Sequence, residues 1–174
     1  YRVYHFEDKF YIQTNLEAQN FCLMECNEKQ TTSENWKIVI PNRNETLIEY
    51  IEIFKNNILI CERTDGLVNF RIINTENKNE HYVDFPEDTY EYNMDTKERS
   101  ILKQREIIGD FKSENYSCSR LWATARDGVK IPISIVHRKD ILLDGNNPLL
   151  QYAYGSYGYS MDPNFSSNRL SLLD

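Results

Sequence analysis

No apolar run in this chain approaches the length of a membrane-spanning helix, and the opening Tyr1-Arg2-Val3-Tyr4-His5 lacks the apolar core of a signal peptide. Residue 1 therefore reads as an internal position rather than a native start. Basic excess is missing too: 20 Lys and Arg face 27 Asp and Glu, giving a net charge of −7 and an isoelectric point near 5.1. Such a surface disfavours nucleic acid and anionic membrane as partners and tolerates cationic peptides. Cysteine is sparse. With no secretion signal, Cys22, Cys26, Cys61 and Cys118 read as reduced thiols of a cytoplasmic protein rather than as a disulfide framework. Cys22-x-x-x-Cys26 has no second pair and no nearby histidine, so no metal is expected. Gly155-x-x-Gly158 lacks the preceding glycine and the following helix of a dinucleotide fingerprint, and no cofactor is expected. The sequons at Asn44, Asn115 and Asn164 are chance occurrences of an Asn-rich chain.

What the chain does have is a succession of short strand-like runs from Lys9 to about Arg105. They are Phe10 to Thr14, Phe21 to Glu25, Trp36 to Ile40, Leu47 to Phe54, Ile58 to Arg63 and Leu67 to Ile73. These runs are rich in β-branched and aromatic residues, and turn signals such as Asn56-Asn57 and Asp65-Gly66 separate them, which predicts antiparallel β. Leu47 to Ile53 alternates imperfectly, as a strand covered on both faces does. An aromatic-led strand running into a polar turn recurs at Asn20 to Lys29, Asn69 to Lys78 and Thr89 to Lys97. Phe21 and Phe70 are 49 residues apart, within the roughly 40–50-residue period of propeller blades. From Phe70 to Tyr90 is only 20, too short for a four-stranded blade.

After a polar connector at Ile107 to Tyr116, two runs, Cys118 to Arg126 and Lys130 to Arg138, flank Asp127-Gly128, a type I′ hairpin signal. A loop tipped by Asp144-Gly145-Asn146-Asn147 leads into Leu149 to Tyr154, expected to be a buried strand. It ends in a glycine turn crowded with tyrosines, Tyr152-Ala153-Tyr154-Gly155-Ser156-Tyr157-Gly158-Tyr159. Phe165 to Leu173 is expected to begin a helix, with Ser166 or Ser167 near its cap.

Tyr-Ala-Tyr-Gly-Ser-Tyr-Gly, followed by Asp162-Pro163-Asn164-Phe165-Ser166 and Arg169 to Asp174, closely resembles the oligopeptidase B group of the prolyl oligopeptidase family of serine peptidases. The likeness extends back through Leu121 to Ser134, similar to the segment opening that family's catalytic domain, and more weakly to residue 1. The resemblance implies a mainly β chain, with partial β-propeller blades over residues 1–110 followed by the first strands of an α/β-hydrolase domain over residues 117–174. One blade is shortened near 86–89. By the same matching, Tyr154 is the tyrosine whose hydroxyl helps form the oxyanion hole. Tyr157 lines the substrate pocket, and Asp162 and Asn164 align with a carboxylate pair that receives a basic side chain. Taken alone, the four tyrosines read as packing of a turn, and Asp162-Pro163-Asn164 as an ordinary turn. Ala153 stands where the family usually has glycine, and Asn164 supplies no second carboxylate.

The chain contains no Gly-x-Ser-x-Gly; Gly158-Tyr159-Ser160-Met161-Asp162 fails at the second glycine. His5, His81 and His137 therefore read as structural. The expectation is a piece of a serine oligopeptidase that cleaves short basic peptides after Arg or Lys, inactive by itself for want of the Ser-Asp-His triad. Its alternative is a truncated homologue acting as a binding module. Blades need stacked neighbours, so open strand edges are expected to be covered by the remainder of the polypeptide or by self-association.

Overall fold

A computed structural model describes residues 1–84, 89–103, 106–107 and 109–174, with only the backbone at 89 and 90. The blade shortening expected near 86–89 lies outside the described residues. The chain divides into two compact units, one of residues 1–86 and 91–100, the other of residues 87–90 and 101–174.

The first unit contains two antiparallel meanders. Strands β1 (Arg2–Phe6), β2 (Lys9–Thr14), β3 (Cys22–Asn27) and β4 (Lys37–Ile40) make one, paired in chain order. Strands β5 (Thr46–Ile53), β6 (Asn57–Thr64), β7 (Leu67–Asn74) and β8 (Glu80–Val83) make the other. The six expected strands are all present. The polar edge strands β1 and β8 are additional, because Arg2, His5, Glu80 and His81 mask their alternation. Phe21 and Phe70, whose 49-residue separation suggested the period, belong to the third strands of the two meanders or their immediate approach.

Register explains why Leu47 to Ile53 alternates imperfectly. Ile48 pairs with Glu62 and Tyr50 with Cys61, so Glu49 is the extra residue of a β-bulge. The bulge changes the phase of the strand and lets Ile48 and Ile51, three apart, both point into the core at 2% and 0% exposure. They join Tyr11, Leu23, Ile40, Ile58 and Ile60 in one apolar cluster between the two meanders. Burying each of these aliphatic side chains contributes about 1.5–3 kcal/mol before entropy is counted. Buried Gln13 ties the same junction, its amide donating to the Ile48 carbonyl at 2.8 Å, while Ile48 N–H donates to the Asn20 carbonyl at 3.1 Å.

Asp65 and Gly66, with φ of 54° and 75°, form the two-residue primed turn between β6 and β7. Two further strands, β9 (Thr89–Tyr92) and β10 (Arg99–Lys103), make a separate two-stranded sheet.

The second unit holds the hairpin of β11 (Tyr116–Thr124) and β12 (Lys130–Arg138). Its turn is not the expected type I′. Gly128 alone has positive φ, at 88°, and its N–H donates to the Ala125 carbonyl at 3.0 Å. The five-residue link lets Arg126 and Asp127 keep ordinary backbone angles, with Gly128 as the left-handed closing residue. The expected buried strand at Leu149 to Tyr154 is also corrected. The segment joins no ladder, and Leu149 and Leu150 are 79% and 68% exposed. A strand needs a neighbour to accept its amides, and none lies beside it among the described residues. The helix expected from Phe165 is a short 3-10 turn at Ser167–Arg169 leading into α1 (Leu170–Leu173), and Ser166 makes no side-chain cap. An α/β-hydrolase layering is not shown by these elements; the described chain is mainly β.

Candidate functional site

The tyrosine turn is built by local backbone geometry. Tyr157 and Gly158 have φ of 57° and 64°, and Tyr159 N–H closes onto the Ser156 carbonyl at 3.1 Å, the pattern of a type I′ turn. Glycine takes this conformation freely, whereas a bulky tyrosine in the left-handed region is strained. Such strain clusters at ligand-contacting sites. Tyr157 at the tip is 96% exposed.

Tyr154 precedes the turn and Tyr159 follows it, and their rings meet edge to face at 5.7 Å and 88°. That contact fixes one side of the Tyr154 ring, while the residue as a whole is 52% exposed. Tyr152 lies under the Arg169 guanidinium at 5.7 Å, a cation–π contact linking the start of the segment to the turn before α1. Asp162 is half-buried and Asn164 exposed; Asn164 N–H donates to the Asp162 carbonyl at 2.8 Å across Pro163. The four sequence-predicted residues thus lie on one short segment, with two exposed phenols before a partly covered carboxylate. Tyr159 and Arg169 were missed as ring partners. Tyr159 is visible in the same aromatic run, but nothing in the spacing of Arg169 marks it.

The end of the segment is anchored on the β11–β12 hairpin. Phe111 packs between Tyr116 and Phe165, at centroid distances of 5.5 and 5.4 Å. Tyr116 donates to the Asp174 carboxylate at 2.6 Å, and Arg138 reaches Asp174 at 3.3 Å and Asp140 at 2.6 Å. Hydrogen bonding to Arg138 holds the Asp140 carboxyl below the usual carboxylate range. Asp174 in turn pushes the Tyr116 phenol up. These residues border an open depression lined by Phe111, Arg138, Ser167 and Leu170. Its exposed ion pairs have a structural use, since each cation already faces a carboxylate.

The histidines have local partners. His5 meets Glu28 at 3.3 Å, His81 meets the Tyr92 hydroxyl at 2.7 Å, and His137 meets the Arg138 carbonyl at 2.7 Å. All four thiols are free; Cys118 is exposed and the other three are buried. Burial pushes the Cys61 thiol up to about 11, beside Glu49 and Tyr50. Among the described residues no three His, Cys, Asp or Glu side chains cluster to hold a metal, and no helix is long and apolar enough to cross a membrane.

A charged cluster inside the first unit also escaped the sequence reading. Glu62 is fully buried, bonded by Arg43 and by Arg71 Nε at 2.5 Å, with the Tyr82 hydroxyl at 3.4 Å. Arg71 continues to Glu80 at 3.0 Å. Paired carboxylate and guanidinium groups of this kind are structural: every charge has its counter-charge in place.

Two four-stranded antiparallel meanders stacked face to face, followed by a third strand pair, define a fragment of a β-propeller. Residues 1–100 match the model of the prolyl oligopeptidase N-terminal beta-propeller domain, and the chain belongs to the prolyl oligopeptidase family. Dipeptidyl aminopeptidase BI of Pseudoxanthomonas mexicana is 35% identical over 204 residues, taking in all of this chain and 28% of that protein. Protease 2 of Moraxella lacunata is 29% identical over 201 residues, again across the whole chain and 29% of that protein. The solved oligopeptidase B from Trypanosoma brucei, in its closed form with covalently bound antipain, superposes with a TM-score of 0.87 at 25% identity, over 99% of this chain and 30% of its own. The chain therefore spans less than a third of the length of these relatives.

Proposed function

We propose that this chain is a portion of a cytoplasmic serine oligopeptidase that hydrolyses short basic peptides after Arg or Lys through an acyl-enzyme. The observation that carries this reading is the strained, exposed Tyr157-Gly158 turn beside the half-open Tyr154 phenol, in a chain of this family. In the proposed role the Tyr154 O–H donates to the oxygen that gains negative charge as the scissile carbonyl becomes tetrahedral. A donor already oriented for that oxygen strengthens its bond as the charge grows. The edge-to-face contact with Tyr159 supplies part of that orientation. Tyr157 offers an apolar wall to a substrate side chain, and Asp162 attracts a substrate guanidinium or ammonium next to the cleaved bond. Asn164 there contributes a hydrogen bond without charge, which weakens that subsite relative to a carboxylate pair.

Nothing in the 174 residues supplies a Gly-x-Ser-x-Gly nucleophile. In this reading the chain stabilises and positions, and attack comes from residues outside it. The test is hydrolysis of fluorogenic peptides by the complete polypeptide and by the 174-residue chain. The complete protein is expected to prefer Arg or Lys at the cleaved bond by at least about 100-fold over Pro, and the isolated chain to be inert to substrate and to a fluorophosphonate probe. Preference for another residue sinks the specificity; turnover by the isolated chain sinks the division of labour.

A second reading, a non-enzymatic binding module, is favoured by one observation: among the described residues β9 and β10 pair only with each other, where the two preceding meanders have four strands each. Absence of labelling in the complete polypeptide would decide for it.

A further inference from the structure

The tyrosines of the glycine turn have different surroundings. Tyr152 lies under the Arg169 guanidinium, Tyr157 stands out at the tip, and Tyr154 and Tyr159 hold each other's rings. That ring contact follows from the backbone. Tyr157 and Gly158, both at positive φ, reverse the chain, and the bond from Tyr159 N–H to the Ser156 carbonyl sets those two residues opposite each other. A chain doubled back in this way carries Tyr154 and Tyr159 to one side at diagonal spacing, a gap that aromatic rings bridge.

The pair is symmetric in its rings and asymmetric in its support. Tyr159 closes the turn with its amide fixed on Ser156, whereas Tyr154 stands before the turn and its amide bonds nothing among the described residues. Among the same residues neither hydroxyl has a partner, in contrast to Tyr116 and Tyr92, whose hydroxyls meet Asp174 and His81. Each ring is held while its O–H is left free.

Holding matters at Tyr154. A half-exposed phenol with no bond to its hydroxyl can occupy any of the staggered positions about χ1. An edge-to-face pair favours the position that makes the contact by about 3- to 10-fold. The better brace is the partner whose own backbone is fixed, and that partner is Tyr159.

We infer that Tyr159 is a positioning residue: its ring, delivered by the type I′ turn, holds Tyr154 in the rotamer that aims the free hydroxyl at the carbonyl oxygen under attack. This role rests on the reading of Tyr154 as the oxyanion donor and divides the work within the pair. Tyr154 supplies the O–H, and Tyr159 supplies a ring and no hydrogen bond. Because the charge that Tyr154 meets exists only in the transition state, the brace acts on kcat and leaves substrate binding alone.

The test is steady-state kinetics of the complete polypeptide with an Arg-containing fluorogenic peptide. Tyr159→Ala should lower kcat by about 3- to 10-fold with KM unchanged within about twofold. Tyr159→Phe, which keeps the ring and loses only the hydroxyl, should restore what the alanine variant loses. Tyr159→Leu keeps the bulk without the ring, should lose as much as Tyr159→Ala, and replaces it in the test if the smaller side chain loosens the turn. In a Tyr154→Phe background Tyr159→Ala should have no further effect, since a brace does nothing once the hydroxyl it aims is gone. Parent-like kcat in Tyr159→Ala beside a loss of about 100-fold in Tyr154→Phe overturns the positioning role alone. So does an equal Tyr159→Ala loss in both backgrounds, which is the mark of a merely structural residue. A kcat for Tyr159→Phe as low as that of Tyr159→Ala overturns it by making the Tyr159 hydroxyl the donor. Parent-like kcat in Tyr154→Phe removes the oxyanion reading, and this role with it.

Discussion

Glu62 shows how much one buried charge can decide. Its carboxylate is wholly removed from water and held by Arg43 and Arg71, the latter itself buried. Replacing it with glutamine leaves two guanidiniums facing each other without their anion, so Glu62→Gln is expected to lose about 3–5 kcal/mol of stability in denaturant unfolding. Adding Arg71→Met should recover part of that, because removing both partners spares the uncompensated charge. A loss below about 1 kcal/mol would mean the pair behaves as an exposed one. None of this was legible in the sequence: Cys61-Glu62-Arg63 on an alternating strand places Glu62 on one face, but nothing in the pattern says that Arg43, in the connector before β5, turns over the same face. The exposed tyrosine turn around Tyr154 and Tyr157 was legible as a turn because it is a contiguous, unusual string, whereas Arg169 under the Tyr152 ring was not, since a cation–π partner 17 positions away leaves no local mark.

At the scale of elements, the first unit was largely readable. Six of the strands in its two meanders follow from β-branched and aromatic runs between turn residues, and the 49-residue interval between Phe21 and Phe70 matches their third strands. The bulge at Glu49 accounts for the one run whose alternation failed. Elements that depend on partners were misread. Leu149 to Tyr154 has the composition of a strand but joins no ladder among the described residues, and apolar composition alone does not pair backbone amides. The contact between β8 and β9 makes a pH-dependent prediction. Burial, aided by repulsion from Lys97, holds the His81 imidazole below its ordinary value of 6.5. The neutral ring can accept the Tyr92 O–H. The unfolded chain therefore takes up the proton first as the pH drops. The contribution is complete above about pH 6.5 and lost progressively below it. Thermal unfolding between pH 7.5 and 5.5 should show a larger drop in Tm for the parent chain than for His81→Gln; parallel curves would remove His81 as the cause.

For the whole molecule, the two units carry different parts of the proposed work. The first unit is the stacked-meander part of a propeller, and it holds the apolar cluster between blades. The second unit carries the tyrosine turn, tied to the β11–β12 hairpin by aromatic contacts and by Arg138 and Asp174. In the proposed reading the phenols and the half-buried Asp162 carboxylate meet a basic peptide, and the proposed chemistry asks a single side chain to meet a developing negative charge. The direct measurement is steady-state kinetics of Tyr154→Phe in the complete polypeptide with an Arg-containing fluorogenic peptide. Losing one oxyanion donor should lower kcat by about 100- to 1,000-fold with KM little changed. A kcat equal to that of the parent would contradict the assignment and return Tyr154 to the packing of its turn.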